Sequence, residues 1–411
     1  MNAVNFQKLP AYAVFAALLA SAGLPIYIHA PKYYVDEYGV SLAALGGTLF
    51  ILRLFDVVQD PFFGWLSETL RNKRSYAVFA GSVLMAVSMF GLFAVSPLLP
   101  PLIWFALMMA GVFSGFSFLT INFYAQGVVK SGKLSGQGHL VLARWRETGA
   151  LFGVCLAAIA PVVLTTVTDL PFVGFSIGFI ILTIAAITMM RSEWLNDGLP
   201  ISVGFKAVLS DTLARRLLLI ALVNAAPVAV TSTLFLFYVE SSLLVPGLEG
   251  PLLLLFFLSA AVAAPFWSKF AENFGVKPVL LGAMMLAVVA FACALKLGQG
   301  DWLLFSGVCV LSGAALGADL TLLPAIFAER MAQISPSAAE GFSLWSFVSK
   351  FTLAFSAIIM LPALEWTGFV SGAVNNPPEA LMLLTLLYAG LPCGLKVVSI
   401  LLLATTDLKE S

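Results

Sequence analysis

The sequence predicts an all-helical membrane protein with twelve transmembrane helices. Its 411 residues are 61% hydrophobic and only 10% charged, and the mean hydropathy is +1.01. Soluble domains carry about a quarter charged residues, so a chain this apolar belongs in a bilayer. Its apolar segments reach the roughly 20 residues that a helix needs to cross a bilayer core about 30 Å thick. Segments of this length predict helical spans rather than the short alternating strands of a membrane barrel.

Short breaks rich in glycine, proline and charged residues separate the apolar segments. The predicted spans are residues 10–30, 42–66, 76–96, 101–128, 144–165, 172–190, 215–240, 250–271, 278–298, 302–327, 341–365 and 380–404.

A long polar segment in the middle of the chain divides the spans six plus six. A weak repeat crosses it, because Pro61 after the second span and Pro265 after the eighth are each followed by phenylalanine, basic residues and a glycine. Two parallel six-helix halves are typical of the major facilitator fold, whose members work by alternating access. The predicted organisation is an N-terminal half (1–192), a cytoplasmic linker (193–213) and a C-terminal half (214–411).

Positive charge predicts the orientation of the chain. With the N-terminus inside, fourteen lysines and arginines fall in inside segments, and two, Lys32 and Lys296, fall outside. Because cytoplasmic loops are enriched in lysine and arginine, both termini are predicted to be cytoplasmic, in the cell inner (plasma) membrane.

Several classes of protein are disfavoured. The formal net charge is zero, which suggests no nucleic-acid partner. The two histidines are far apart, and the four cysteines lie in apolar spans without a CxxC pair, so no metal cluster is predicted. No phosphate-binding GxxxxGK[ST] motif and no nucleophile–base pair is recognised, so we expect neither an enzyme nor a cofactor. The expected partners are a small-molecule substrate and the lipid bilayer, and we expect a monomer.

Three charged residues interrupt the second span. Arg53, Asp56 and Asp60 recur every three to four residues and therefore share one helix face, with Gln59 beside it. Charged side chains at the bilayer centre cost at least ~2.5 kcal/mol on insertion scales and usually mark function. Two carboxylates about 6 Å apart repel one another, and Arg53 can neutralise only one. The arrangement favours a bound monovalent cation, Na⁺ or H⁺; the alternative is an inter-helix salt bridge, which is strongest for Asp60.

The motif R-x-x-D-x-x-x-D-P-x-x-G at residues 53–64 resembles the glycoside–pentoside–hexuronide:cation symporter (melibiose permease-like) family of the major facilitator superfamily. The segment "EGFSLWSFVSKFTLA", residues 340–354, is similar to the eleventh span of that family. "YYVDEYGVS" and "LVNAAPVAVTSTLFLFYVE" resemble its first external loop and seventh span. The resemblance extends over nearly the whole chain.

The resemblance implies a cation site formed by Asp56, Asp60, Gln59 and a fourth-span hydroxyl, Ser117. It also implies that Lys350 lies near this cation site.

For the substrate, the resemblance implies contact with Arg146, which precedes Gly153 by seven residues, and with the aromatic ring of Tyr124. Sugar-binding members carry an acid on the first and on the fourth span, where this chain has Ala20 and Thr120. Neither can accept charge-assisted hydrogen bonds from sugar hydroxyls as a carboxylate does.

Loss of both acids, with Arg146 and Lys350 retained, predicts a more positive cavity and favours an anion such as a sugar acid. Arg144 would add to this charge if it faced inward; the alternative is a boundary position in contact with water. Glu147 would partly offset the charge.

Other polar residues are further candidates for substrate binding. Asn122 offers a neutral hydrogen bond near Tyr124, and Trp345 offers a ring for stacking, with plain packing as the alternative. Asp319 either partners Lys350, lines the cavity, or caps a glycine-rich turn. Lys396 has no partner that the sequence identifies.

The predicted function is a cation-coupled symporter for a small organic solute. A lipid or lysolipid carrier of the same fold is the first alternative. The second is a non-transporting assembly or sensor protein on this scaffold, which the costly buried charges disfavour.

Overall fold

A computed structural model describes residues 9–134, 138–194, 204–245, 247–335, 337–370 and 376–408. Every regular element within these ranges is helical, and no strand occurs in them. This confirms the predicted all-helical class. The basic residues Lys8 and Lys409, and residues 195–203 of the predicted linker, lie outside the described residues.

The chain forms two compact units. The first unit comprises Met1–Ser210 with Ala328–Phe347, and the second comprises Asp211–Phe327 with Val348–Ser411.

The helices up to residue 210 lie in the first unit, and Arg71–Lys73 adds a short 3₁₀ turn. They are α1 (Leu9–Ser21), α2 (Leu24–Tyr38), α3 (Leu42–Thr69), α4 (Arg74–Phe93), α5 (Pro101–Ser131), α6 (Gly138–Leu164), α7 (Pro171–Trp194) and α8 (Gly204–Ser210).

Two π-helical turns, Tyr238–Ser242 and Leu386–Gly390, interrupt the helices of the later part of the chain. These helices are α9 (Thr212–Phe237), α10 (Glu249–Phe274), α11 (Val276–Ala294), α12 (Trp302–Ile334), α13 (Ala339–Glu365), α14 (Pro378–Thr385) and α15 (Leu391–Ala404).

Nine of the described helical stretches are long and apolar enough to cross a membrane. They correspond to the predicted third, fourth, sixth and seventh to twelfth spans, with α14 and α15 counted as one stretch. The other three predicted spans correspond to α1 with α2, to α3, and to α6. The last two of these carry the buried charges discussed below.

The first predicted span differs from the structure. It was expected to run unbroken over residues 10–30, but α1 ends at Ser21 and α2 begins at Leu24. Pro25 at the start of α2 has no backbone N–H, so it cannot donate to the carbonyl of Ser21 and continue α1. Helix α2 then extends through most of the predicted external loop to Tyr38.

Helices α1 and α6 approach one another backbone to backbone. A Cβ atom on Gly153 would lie 2.6 Å from the Cα of Ala17, and one on Gly149 would lie 2.6 Å from the carbonyl carbon of Ala13. Small residues allow membrane helices to pack this closely, and here they fix α6 against α1. This contact sets the position of the side chains on the first turns of α6.

We expect Gly153→Val to destabilise the first unit, because the contacting atoms belong to the backbone and cannot move aside. Overpacking of this kind costs about 1–3 kcal/mol. The measurement is the thermal unfolding midpoint of the purified full-length protein in detergent. Gly178→Val on α7 is the matched control, because a Cβ there meets no described atom within 4 Å. Equal midpoints for the two variants would contradict the prediction.

Candidate functional site

The side chains of α3 and α5 converge on Asp56. The Gln59 amide nitrogen donates a hydrogen bond to Asp56 Oδ1 at 2.7 Å. The Ser117 hydroxyl of α5 donates to the same oxygen, also at 2.7 Å. All three side chains are buried. Two donors on one oxygen fix the orientation of the carboxylate, so three of the four predicted cation-site residues lie in one cluster.

Ser114 belongs to the same cluster, and sequence reasoning did not identify it. Its hydroxyl donates to Gln59 Oε1 at 2.9 Å, so the Gln59 amide directs its nitrogen towards Asp56 and its oxygen towards Ser114. The available signal was its position three residues before Ser117, which places both hydroxyls on one face of α5.

Asp60, the fourth predicted cation-site residue, is fully buried on α3, one helical turn after Asp56. Arg53, its predicted charge partner, is partly buried one turn before Asp56. The three charges therefore follow the face that their spacing predicts. Their position on an apolar helix places two acidic groups in low-dielectric surroundings.

A second cluster surrounds Arg146 on α6. The Arg146 Nε donates to Glu147 Oε1 at 2.6 Å, and the Tyr124 hydroxyl donates to the same oxygen at 3.1 Å. The guanidinium carbon lies 3.8 Å from the centroid of the Tyr124 ring, in cation–π geometry. Glu147 therefore accepts hydrogen bonds from both Arg146 and Tyr124, the predicted substrate-binding residues. From the sequence, Glu147 was expected only to offset part of the positive charge.

These side chains line a cavity of about 120 Å³ within the first unit. Helices α1, α5 and α6 contribute its wall, which consists of Ala16, Leu19, Ala20, Phe116, Thr120, Phe123, Tyr124, Arg146, Glu147 and Ala150.

Thr120 and Ala20, the positions where sugar-binding relatives carry acids, both line this cavity. Thr120 Oγ1 and Arg146 Nη2 are buried and have no hydrogen-bond partner among the described residues. Buried polar atoms usually have a partner. These two atoms are therefore where a ligand with acceptor groups would gain most.

His139 adds no charge to this region at neutral pH. It lies in the first turn of α6, ahead of the predicted fifth span, and its Nδ1 is 2.7 Å from the Ser131 hydroxyl. Burial, and then the nearby charge of Arg146, lower the pKa of His139 to about 4. The charged residues of the cavity wall are Arg146 and Glu147, and their formal charges cancel. The predicted excess of positive charge is therefore not found among the residues that line this cavity, because Glu147 offsets Arg146 fully rather than in part.

On α13, the ring of Phe342 lies 4.9 Å from the ring of Tyr124. Trp345 is partly buried on the same helix. Lys350, further along α13, is buried and belongs to the second unit.

The structure does not bring Asn122 to the cavity. Asn122 Oδ1 accepts hydrogen bonds from Ser67 at 2.8 Å and from Arg74 Nε at 3.0 Å, and its amide nitrogen donates to the Phe118 carbonyl at 2.8 Å. Two residues along a helix is a rotation of about 200°, so Asn122 faces away when Thr120 and Tyr124 face inward.

Asp319 has a different partner from the expected one. In the second unit, it forms an ion pair with Lys396 of α15. The Lys396 ammonium also donates to Asn224 Oδ1 of α9 at 2.6 Å. No local sequence signal joins these three residues, because they lie on three helices that are distant in the chain.

Apolar spanning helices, a buried pair of acids and a small cavity with polar groups in its wall are the features of a secondary membrane transporter. The chain belongs to the family described as MFS/sugar transport protein, whose profile matches residues 10–410. This confirms the predicted major facilitator fold and the resemblance to sugar symporters, and the family consists of transporters rather than enzymes.

Two relatives are informative. The chain is 24% identical to the glucuronide carrier protein homolog of Escherichia coli K12 over 396 residues, which covers 90% of this chain and 86% of that protein. It is 27% identical over 166 residues to the sodium-dependent lysophosphatidylcholine symporter 1 of Gallus gallus. That alignment covers 39% of this chain and 31% of the chicken protein, so it spans about a third of that relative's length.

The fold is similar to that of a bacterial homologue of the iron transporter ferroportin, solved in an outward-facing state. The TM-score is 0.71 at 14% identity, with coverage of 97% of this chain and 98% of that one. At this identity the likeness shows the fold alone.

Proposed function

We propose that this protein is a cation-coupled symporter that carries a small organic anion, such as a sugar acid, across the cell inner membrane by alternating access. Na⁺ or H⁺ binds at Asp56 and Asp60, and the anion binds in the cavity beside Arg146. The single observation that supports this most is the convergence of Ser117 and Gln59 on the buried Asp56 carboxylate, one turn from buried Asp60.

The coupling follows from electrostatics. Two carboxylates one helical turn apart repel in a medium of low dielectric, and a cation or proton between them relieves that repulsion. If the loaded state also binds the anion better, the anion raises cation affinity by the same factor. With one cation per singly charged anion, the cycle moves no net charge and the cation gradient drives uptake; each additional cation would let the membrane potential contribute about 2.3 kcal/mol per 100 mV. The chicken relative, which its name describes as sodium-dependent, supports the coupling.

The anion is proposed from the cavity wall. A carboxylate can accept from Arg146 Nη2 and from the Thr120 hydroxyl, the two buried atoms that lack partners among the described residues. Because Glu147 already neutralises this guanidinium, the anion would be held by directed hydrogen bonds from Arg146 and Thr120 rather than by a net positive charge. The E. coli relative, named as a glucuronide carrier homologue, supports a sugar acid.

A lysolipid carrier is the second candidate. Six of the ten lining residues are apolar, namely Ala16, Leu19, Ala20, Phe116, Phe123 and Ala150. Such a wall accommodates an alkyl chain better than sugar hydroxyls, since each unsatisfied buried hydroxyl costs about 1–3 kcal/mol. The name of the chicken relative supports the same substrate class.

Uptake into proteoliposomes tests these alternatives. The panel comprises neutral sugars, sugar acids, other organic anions and lysophosphatidylcholine, each with and without an imposed Na⁺ or pH gradient. Gradient-driven uptake of an organic anion is expected. Robust transport of a neutral sugar with no anion uptake would reject the proposed substrate, and lysophosphatidylcholine uptake alone would establish the second candidate.

By the positive-inside rule, we expect both termini to lie in the cytoplasm. The accessibility of terminal tags in intact cells would test this orientation.

Ser117→Ala is expected to weaken Na⁺ binding by about tenfold or more, because the Asp56 carboxylate loses the hydrogen bond that fixes its orientation and the site loses a hydroxyl oxygen that can contact the ion. The measurement is the Na⁺ concentration at half-maximal uptake. Ser82→Ala is the matched control, since the buried Ser82 hydroxyl donates to the Val78 carbonyl of its own helix, α4. The prediction fails if Ser117→Ala leaves that concentration unchanged.

A further inference from the structure

The second unit contains a buried polar cluster that lies outside the proposed substrate and cation sites. It consists of Asn224 on α9, Asp319 on α12 and Lys396 on α15, which are 5%, 8% and 1% exposed. Each residue lies in a helical stretch that is long and apolar enough to cross the membrane. Ionisable residues in such positions are costly, so their partners must satisfy them within the protein.

The ammonium of Lys396 lies among oxygen atoms. It donates to Asn224 Oδ1 at 2.6 Å and forms the ion pair with Asp319 Oδ2. The other carboxylate oxygen, Asp319 Oδ1, is buried and has no hydrogen-bond partner in the described part of the chain. A carboxylate and an amide oxygen thus face a single positive charge.

Proline interrupts the regular backbone hydrogen bonding of α9 three residues after Asn224. Pro227 lies inside α9 and has no N–H, so the carbonyl of Val223 lacks its usual donor four residues on. Carbonyl groups released in this way coordinate Na⁺ in other transporter folds, where helices are interrupted. Carboxylate and carbonyl oxygens are also the ligands that hard cations prefer.

We propose that Asn224 and Asp319 form a monovalent-cation site that the tethered ammonium of Lys396 fills permanently. The ammonium is a compact point charge on a flexible stem, so it can occupy a position suited to a free ion. The cluster carries no net formal charge and needs no ion from solution. This cluster therefore takes up no free ion in the native protein, and removal of the ammonium creates a new Na⁺ site. This inference does not depend on the proposed transport function.

The test uses the purified full-length protein in detergent, with Asp56→Asn present in every sample to remove the first proposed cation site. Three proteins are compared: this parent, the parent with Lys396→Ala, and the parent with both Lys396→Ala and Asp319→Asn. The readouts are the unfolding midpoint in NaCl against choline chloride, and the binding of radioactive sodium. Lys396→Ala is expected to raise the midpoint in NaCl by a few degrees relative to choline chloride and to bind one more Na⁺ than the parent. Addition of Asp319→Asn is expected to remove both gains.

Each other result also decides the question. Recovery of folded Lys396→Ala protein in NaCl but not in choline chloride supports the proposal. Equal midpoints in the two salts without additional sodium binding overturn it. Failure to recover the Lys396→Ala protein in either salt also overturns it, because a free cation then does not replace the ammonium. A sodium response already present in the parent concerns a different site, and only the difference between the proteins counts.

Discussion

Asp56→Asn is expected to abolish cation-driven accumulation of the substrate while the protein stays folded. Asparagine has the shape of aspartate and keeps an oxygen that can accept from Ser117 and Gln59, so the local hydrogen bonds persist. It removes one of the two negative charges that attract the cation. Without the coupled charge, the driving force falls by about 2.3 kcal/mol per 100 mV, or roughly 50-fold in accumulation at that potential.

The experiment measures steady-state uptake in proteoliposomes with an imposed cation gradient and membrane potential. Exchange of labelled for unlabelled substrate, with no gradient, reports whether the variant still binds and moves its substrate. Glu37→Gln is the matched control, since Glu37 is an exposed carboxylate on α2. Accumulation by Asp56→Asn at the level of the unmodified protein would exclude Asp56 from coupling.

Arg146→Ala is expected to reduce substrate affinity by about 10- to 150-fold, which corresponds to the loss of hydrogen bonds from a charged donor worth about 1.5–3 kcal/mol. The same change leaves Glu147 buried without its cation, so it also destabilises the fold. The double variant Arg146→Ala with Glu147→Ala separates the two effects, because it removes the stranded charge. It should recover stability but not substrate binding.

Arg146→Lys adds a test of geometry. Lysine keeps the positive charge but cannot lie flat on the Tyr124 ring or offer a planar fork to a carboxylate. The substrate affinity of Arg146→Lys should therefore resemble that of Arg146→Ala more than that of the native protein. Arg191→Ala, at an exposed arginine of α7, is the control for loss of one positive charge. The proposed role of Arg146 is wrong if the double variant binds organic anions normally.

The hydrogen-bonded cluster around Asp56 could be predicted largely from the sequence, because its members on α3 are related by helical periodicity. A spacing of three and four residues places the charged side chains on one face of the helix. Charged side chains in an apolar segment are costly in the bilayer, so their presence there indicates a function. Ser117 required the resemblance to known symporters, since a single serine on an apolar helix carries no distinctive pattern. Neither the periodicity of α3 nor the resemblance identified Ser114, although it lies on the same face of α5 as Ser117.

Other features depend on tertiary contacts or on local geometry that hydropathy does not record. Asp319 and Lys396, which form an ion pair, are 77 residues apart in the chain, so no local periodicity predicts their contact. The division of the first span at Gly23 was missed because the apolar composition continues across the break. The position of Asn122, by contrast, could have been inferred from its two-residue offset to Thr120 and Tyr124.

The direct backbone contact between α1 and α6 restricts which substitutions can change the substrate selectivity of the proposed transporter. Those two helices cannot come closer together, and their contribution to the cavity wall is mostly alanine and leucine. Larger side chains at these alanine and leucine positions would fill the cavity, and smaller ones would enlarge it only slightly. In the proposed transporter, the shape of the cavity would therefore change mainly through Phe116, Thr120, Phe123 and Tyr124 of α5, whereas its charge would change through Arg146 and Glu147 of α6.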